Sequence, residues 1–239
     1  MSRIGIGLLF ILLASLAGCS LPGRIVASGR PVSVPKDFRD FTRVAAGSAF
    51  AVDIARGDEF RVEITIDEAM LPYLRVSQEG DTLKIGLESF RSYSWGMGTP
   101  QAKIVMPELA GVNFSGAIRG TVTGFKSADD LDVELSGASG LQGDLESGNA
   151  RLNVSGASKA TLKGAAKTLD VTASGASRAD LRAFAVTDAS VNASGASNVT
   201  VNPSGKMDAT VSGASKVYYT GNPSLGTVNI SGASTLQKR

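Results

Sequence analysis

Histidine is absent from the 239-residue chain, which removes the commonest general base and the commonest metal ligand together. Cysteine occurs once, as Cys19, excluding an internal disulfide framework and any cysteine-cluster zinc site. Aromatic residues make up only 6% of the chain and Trp95 is the single tryptophan. A core must therefore be built mainly of Val, Leu, Ile and Ala, drawn from the 43% of residues that are hydrophobic. A charge excess is lacking too: 24 basic side chains stand against 22 acidic ones, so no global field favours nucleic acid or an anionic surface. No P-loop, dinucleotide-binding glycine motif or calcium-binding RTX nonapeptide occurs, and no cofactor or metal is expected.

The N-terminus reads as a processing signal. Arg3 is followed by an apolar run from Ile4 to Leu16, too short for a membrane-spanning helix of roughly 20 residues. Next comes Leu16-Ala17-Gly18-Cys19, which resembles the lipobox of bacterial lipoproteins. That resemblance implies a signal peptide over residues 1–18 and a diacylglycerol on Cys19, with palmitate-class chains making the membrane a partner. More than one acyl chain, at about 0.8 kcal/mol per buried methylene, holds a protein firmly to a bilayer. Ser20 stands where enterobacterial lipoproteins retained at the inner membrane carry aspartate, so the resemblance implies the outer membrane, on its periplasmic or exposed side. Residues 19–36 contain Pro22, Gly23, Gly29, Pro31 and Pro35 without apolar periodicity and read as a lipidated tether.

What the chain has in abundance is one tetrapeptide. Ser-Gly-Ala-Ser begins at Ser136, Ser155, Ser174, Ser194, Ser212 and Ser231, after a degenerate copy, Ser115-Gly116-Ala117-Ile118. Subtracting successive starts gives spacings of 21, 19, 19, 20, 18 and 19 residues, the mark of a solenoid with one supersecondary unit per repeat. Each tetrapeptide is preceded by alternating apolar residues, for example Leu131, Val133 and Leu135, or Leu169, Val171 and Ala173. It is followed by another pair, such as Ala160 and Leu162. Period-two alternation puts these on one face of short strands. One such pair of strands cannot bury its apolar face, but rungs stacked about 4.8 Å apart can. The prediction is an all-β chain: a parallel, right-handed β-helix of about seven rungs over residues 111–239, with Ser-Gly-Ala-Ser as the corner. Glycine supplies the bend and the small neighbours stack in register.

Residues 37–110 read as a β-hairpin segment. Phe50, Val52 and Ile54 alternate, Arg56-Gly57-Asp58-Glu59 turns, and Phe60, Val62 and Ile64 alternate again. A second hairpin joins Leu74 and Val76 to Leu83, Ile85 and Leu87 through Glu79-Gly80-Asp81. Residues 67–74 suit one or two helical turns, and residues 101–106 a further strand. Between them a glycine-rich loop holds Phe90, Tyr93 and Trp95, aromatic surfaces suited to stacking on a sugar or a partner protein.

Two outward columns carry charge. The position directly after the tetrapeptide holds Gly140, Lys159, Arg178, Asn198, Lys216 and Thr235, and its three cations, Lys159, Arg178 and Lys216, suit an anionic partner. Four positions before it stand Asp132, Arg151, Asp170, Ser190, Asp208 and Thr227. Carboxylates two rungs apart are separated by about 9.6 Å, too far for a retaining glycosidase pair and at the limit for an inverting one. Arg151 between Asp132 and Asp170 favours both as ions rather than one as a general acid. A polysaccharide-active enzyme is thus the alternative that the spacing disfavours. A self-stacking envelope component, associating through the C-terminal rung, is a third reading.

Taken together, the chain resembles the head GIN domain family of autotransporter adhesins over about Asp37 to Leu236. The resemblance rests on Asp40-Phe41, on Gly57-Asp58, on Gly80-Asp81-Thr82-Leu83-Lys84-Ile85, on Val105-Met106-Pro107-Glu108-Leu109 leading into Phe114-Ser115-Gly116-Ala117, and on the repeats. It implies a β-helical fold outside the cytoplasm and no reaction, and it carries over no functional residues. The expected function is a non-catalytic, lipid-anchored envelope module that adheres to, or scaffolds, a glycan or protein partner.

Overall fold

The computed structural model of the protein describes residues 24–89, 92–94 and 98–239. It is nearly all strand, 64% against 3% helix, and its stacked parallel strands form a β-solenoid of about six turns. Two long sheets meet at the tetrapeptide corner. In the pre-corner sheet Gly111–Phe114, Leu131–Leu135 and the C-terminal halves of Gly140–Val154, Lys159–Ala173 and Arg178–Ala193 pair in parallel, followed by Lys206–Val211 and Ser224–Ile230. In the post-corner sheet Arg119–Lys126, the N-terminal halves of the same three long strands, Asn198–Pro203, Lys216–Tyr219 and Thr235–Lys238 pair likewise.

The alternation is realised as burial. Leu131, Val133, Leu135, Leu152, Leu169, Val171, Val191 and Val211 all point into one continuous core. Where small residues leave room, a few large ones fill it, with Phe41, Phe50, Phe114 and Phe184 among the fully buried side chains. Val228 and Ile230, expected to be inside, are 37% and 48% exposed, because their strand pairs on one side only, with Lys206–Val211.

At the corner each glycine adopts positive φ, from +69° at Gly156 to +83° at Gly116. Its carbonyl accepts the N–H of the alanine one rung on, as in Ala157 to Gly137 at 2.7 Å and Ala176 to Gly156 at 2.8 Å. The second serine of the first five full tetrapeptides turns inward: Ser139, Ser158, Ser177, Ser197 and Ser215 are buried, while Ser234 on the last rung is partly exposed. Within the stack Ser197 donates to Ser215 at 3.2 Å and Ser215 to the Gly195 carbonyl at 3.3 Å, whereas the Ser177 hydroxyl is buried without a hydrogen-bond partner among the described residues.

Three features of the first hundred residues differ from the sequence expectation. Arg43–Ala46 and Ala51–Arg56 already form a rung, pairing in parallel with Gly111–Phe114 and Arg119–Lys126. Its corner uses Ser48, at φ +70°, in the place of the glycine, and the Ser48 carbonyl accepts Ala117 N–H at 2.7 Å. Second, the arms 51–56 and 61–67 do not form a closed hairpin. Gln101–Met106 lies between them, parallel to the first and antiparallel to the second. The 74–79/82–87 hairpin does form, around Gly80 at φ +59°. Third, Pro31–Lys36, read as part of a tether, is a strand antiparallel to Arg61–Asp67. It pairs on that side alone, and its two prolines sit on the same alternate positions, where an edge strand needs no donor.

A 3-10 helix, Glu68–Tyr73, follows Asp67, whose carboxylate ties this end together. It accepts Ser28 N–H and Gly29 N–H at 2.8 Å each, the Ser28 hydroxyl at 3.0 Å and Ala69 N–H at 3.0 Å. These bonds, led by the Ser28 N–H, hold its pKa below the usual carboxylate value. A carboxyl depressed in the folded state contributes stability that is present above its unfolded pKa, about 4, and is lost as pH falls through the folded one. Asp67→Asn is therefore expected to be less stable than the parent at pH 7, with the gap closing as the pH falls below the unfolded carboxylate value into the acid range. Equilibrium urea unfolding across that range checks this, and a gap of constant size would refute it.

Candidate binding face

The structure separates the residues that the sequence singled out. Cys19, Phe90 and Trp95 lie outside the described residues. Tyr93 is half-buried: its hydroxyl donates to the Glu88 carbonyl at 2.8 Å and its ring meets Tyr73 edge-on, with centroids 6.1 Å apart. It packs against the core and serves the fold. The serine ladder faces inward and offers nothing to a ligand.

Lys159, Arg178 and Lys216, by contrast, are brought into one line. The register runs Arg119, Gly140, Lys159, Arg178, Asn198, Lys216 and Thr235 on successive rungs of the post-corner sheet. Arg119, Lys159, Arg178 and Lys216 are exposed, and none has an ion-pair partner among the described residues. Arg119 was missed by the sequence reading, although the offset that finds Lys159 finds it too once applied to the degenerate Ser115–Ile118 copy. Beside this line runs a second column, Thr121, Gln142, Thr161, Asp180, Thr200, Tyr218 and Gln237, in which Thr200 is buried. Its one acid in the repeats, Asp180, is gripped by Arg182 through bonds of 2.9 and 2.7 Å. That grip, with a smaller contribution from Arg178, keeps its pKa low. Asp180 is thus largely neutralised by Arg182, and the line of four cations stays net positive. Lys159 and Arg178 face each other on adjacent rungs, an arrangement of like charges that costs stability unless something anionic meets it.

Several acids of the pre-corner sheet have structural partners, and the post-corner sheet also carries Asp144 and Glu146 on the strands of the cation line. Asp132 takes Arg43 at 2.9 Å and Arg151 at 3.9 Å. Asp208 accepts Lys206 Nζ at 2.7 Å and Thr227 N–H at 2.6 Å, which lower its pKa. The register confirms that Asp132, Arg151 and Asp170 occupy successive rungs. Asp132 and Asp170 therefore stand two rungs apart, and no group of three or more acids placed to hold a metal occurs among the described residues. No helix among the described residues is long and apolar enough to cross a membrane.

Comparison with known proteins finds the same fold. The family model described as "Putative auto-transporter adhesin, head GIN domain" matches residues 40–223. The chain belongs to the head GIN family. Solved structures share the fold of this head GIN domain. A putative adhesin from Bacteroides fragilis superposes with a TM-score of 0.84 at 17% identity, covering 90% of this chain and 100% of that one. A putative lipid binding protein from Parabacteroides distasonis gives 0.69 at 20% identity, over 91% and 100% of the two chains. A putative adhesin from Parabacteroides merdae gives 0.68 at 16% identity, over 90% and 99%. Comparison with curated proteins finds no match. The family supports an adhesin-like binding module, and the neighbours share its fold.

Proposed function

We propose that this head GIN domain is a non-catalytic adhesive module of the bacterial cell envelope. It is anchored at the outer membrane through a lipid on Cys19 and binds an extended anionic glycan along its post-corner sheet. The observation that carries the reading is the line of Arg119, Lys159, Arg178 and Lys216, exposed and without ion-pair partners among the described residues on a regularly spaced face. Cations spaced at multiples of about 4.8 Å, flanked by threonine and glutamine donors, suit a polymer with repeated acid groups. The lipobox-like residues before Cys19 support the anchor, and Cys19→Ser should move the protein from the detergent phase to the aqueous phase on partition.

The glycan reading is tested with polygalacturonate as the probe and dextran as its neutral counterpart. The combined variant Lys159→Ser, Arg178→Ser, Lys216→Ser is expected to bind polygalacturonate at least tenfold more weakly than the parent at low salt. Its unfolding free energy should stay within about 0.5 kcal/mol of the parent, as for other exposed substitutions. Parent binding should weaken steeply with added salt because the contacts are between exposed charges. Equal binding of dextran and polygalacturonate, or an unaffected triple variant, would defeat the proposal.

A further inference from the structure

The cation line has a gap, and the gap is a notch. Arg119 and Lys159 stand two rungs apart, about 9.6 Å at the spacing of stacked strands, with Gly140 between them. Having no side chain, Gly140 leaves a cavity of about 160 Å³ lined by Arg119, Thr121, Gly140, Gln142, Lys159 and Thr161. The notch is open to solvent on its outer side, so a sugar ring would rest over it rather than be enclosed by it. The walls offer two cations, one at each end, and an amide and two hydroxyls alongside.

We infer that this notch is the anchoring subsite of the face, taking one acidic pyranose residue of a glycan. The inference rests on the reading of the face as glycan-binding and adds to it a place and a chemical class. The ring sits over Gly140, its carboxylate meets the Arg119 guanidinium or the Lys159 ammonium, and its hydroxyls bond to Thr121, Gln142 and Thr161. A guanidinium and a carboxylate can bond through two parallel N–H···O contacts, which fixes the orientation of the sugar as well as its position. Arg178, one rung on, and Lys216, three rungs on, then meet further residues of the same chain less selectively.

Gly140 makes the inference unusually easy to test, because its place in the fold does not require glycine. Its φ is not positive, and a Cβ built there meets nothing closer than 4.0 Å, the Ile118 and Lys159 carbonyl oxygens. Gly140→Thr fills the notch with a good strand former and leaves every cation in place. Calorimetric titration of the full folded domain with trigalacturonate should show at least tenfold weaker binding to this variant, with no fall in its melting temperature. Trigalacturonate methyl ester, which keeps the rings and loses the charges, should bind the parent at least tenfold more weakly than the acid. If Gly140→Thr binds trigalacturonate as the parent does while the triple cation variant does not, the notch is refuted and the binding face survives. If the parent binds neither trigalacturonate nor polygalacturonate, both are refuted.

Discussion

Gly175→Ala should lower the stability of the domain by roughly 2–5 kcal/mol, a fall of about 5–15 °C in melting temperature for a protein of this size. Two costs add. Gly175 has φ +71°, where an L side chain is strained by roughly 1–2 kcal/mol. A Cβ there would also lie 2.7 Å from the Gly156 carbonyl oxygen, the same oxygen that accepts Ala176 N–H at 2.8 Å. Relief would have to come from the backbone, which pairs with the rungs on both sides. Gly140→Ala, one residue past a corner but free of both constraints, serves as the control and should be neutral or slightly stabilising. Thermal and chemical unfolding of the two variants side by side decides the matter. Equal stability would mean that the corner is not what holds the stack in register.

Phe114 and Gly120 should behave as a coupled pair. Phe114 is fully buried near the start of the stack, and its ring occupies the space that a side chain at residue 120 would need. A Cβ on Gly120 would fall 2.1 Å from Phe114 Cε2. Phe114→Ala alone is expected to cost about 3–5 kcal/mol through the cavity it leaves, and Gly120→Ala alone about 1–3 kcal/mol through overpacking. In the double variant the new methyl enters the space vacated by the ring, so the loss should fall short of the sum by at least ~1 kcal/mol. Strict additivity in a double-mutant cycle would contradict this packing.

Much of this architecture is legible along the chain because its repeats are locally consistent. Leu152 and Val171 alternate with Asn153 and Asp170, and the alternation alone states which side is core. The corner is legible from Gly156 and Gly175, since nothing bulkier tolerates both the dihedral angle and the approach of the neighbouring rung. Legibility fails where pairing is decided by distant strands. The Gly57 turn favours a hairpin, but it does not say which strand lies beside Ala51–Arg56. Gln101–Met106 takes that place, and its Ala102, Ile104 and Met106 complete the core there. Ser48 hides the first corner because the residue at positive φ is not glycine. Pro31 and Pro35 suggest a linker by composition, yet an edge strand accommodates them. At the candidate face the cations of the full tetrapeptides are readable, whereas the notch depends on the absence of a side chain at Gly140 between two rungs that bear one.

The two ends of the stack are finished differently, and this bears on how it would yield to force. At one end the first rungs are flanked by antiparallel strands, Leu74–Glu79 on one sheet and Arg61–Asp67 with Pro31–Lys36 on the other. At the other end Ser224–Ile230 pairs with one neighbour only and leaves Leu225, Val228 and Ile230 exposed. Because each turn leans only on adjacent turns, a pull applied at Arg239 would be met by one turn at a time rather than by the whole domain. Gly156 and Gly175 are 19 residues apart, so each turn that peels away releases roughly 65 Å of chain at ~3.4 Å per residue. The solenoid is in mechanical terms a spool, able to lengthen in steps under load while the turns still wound keep their shape.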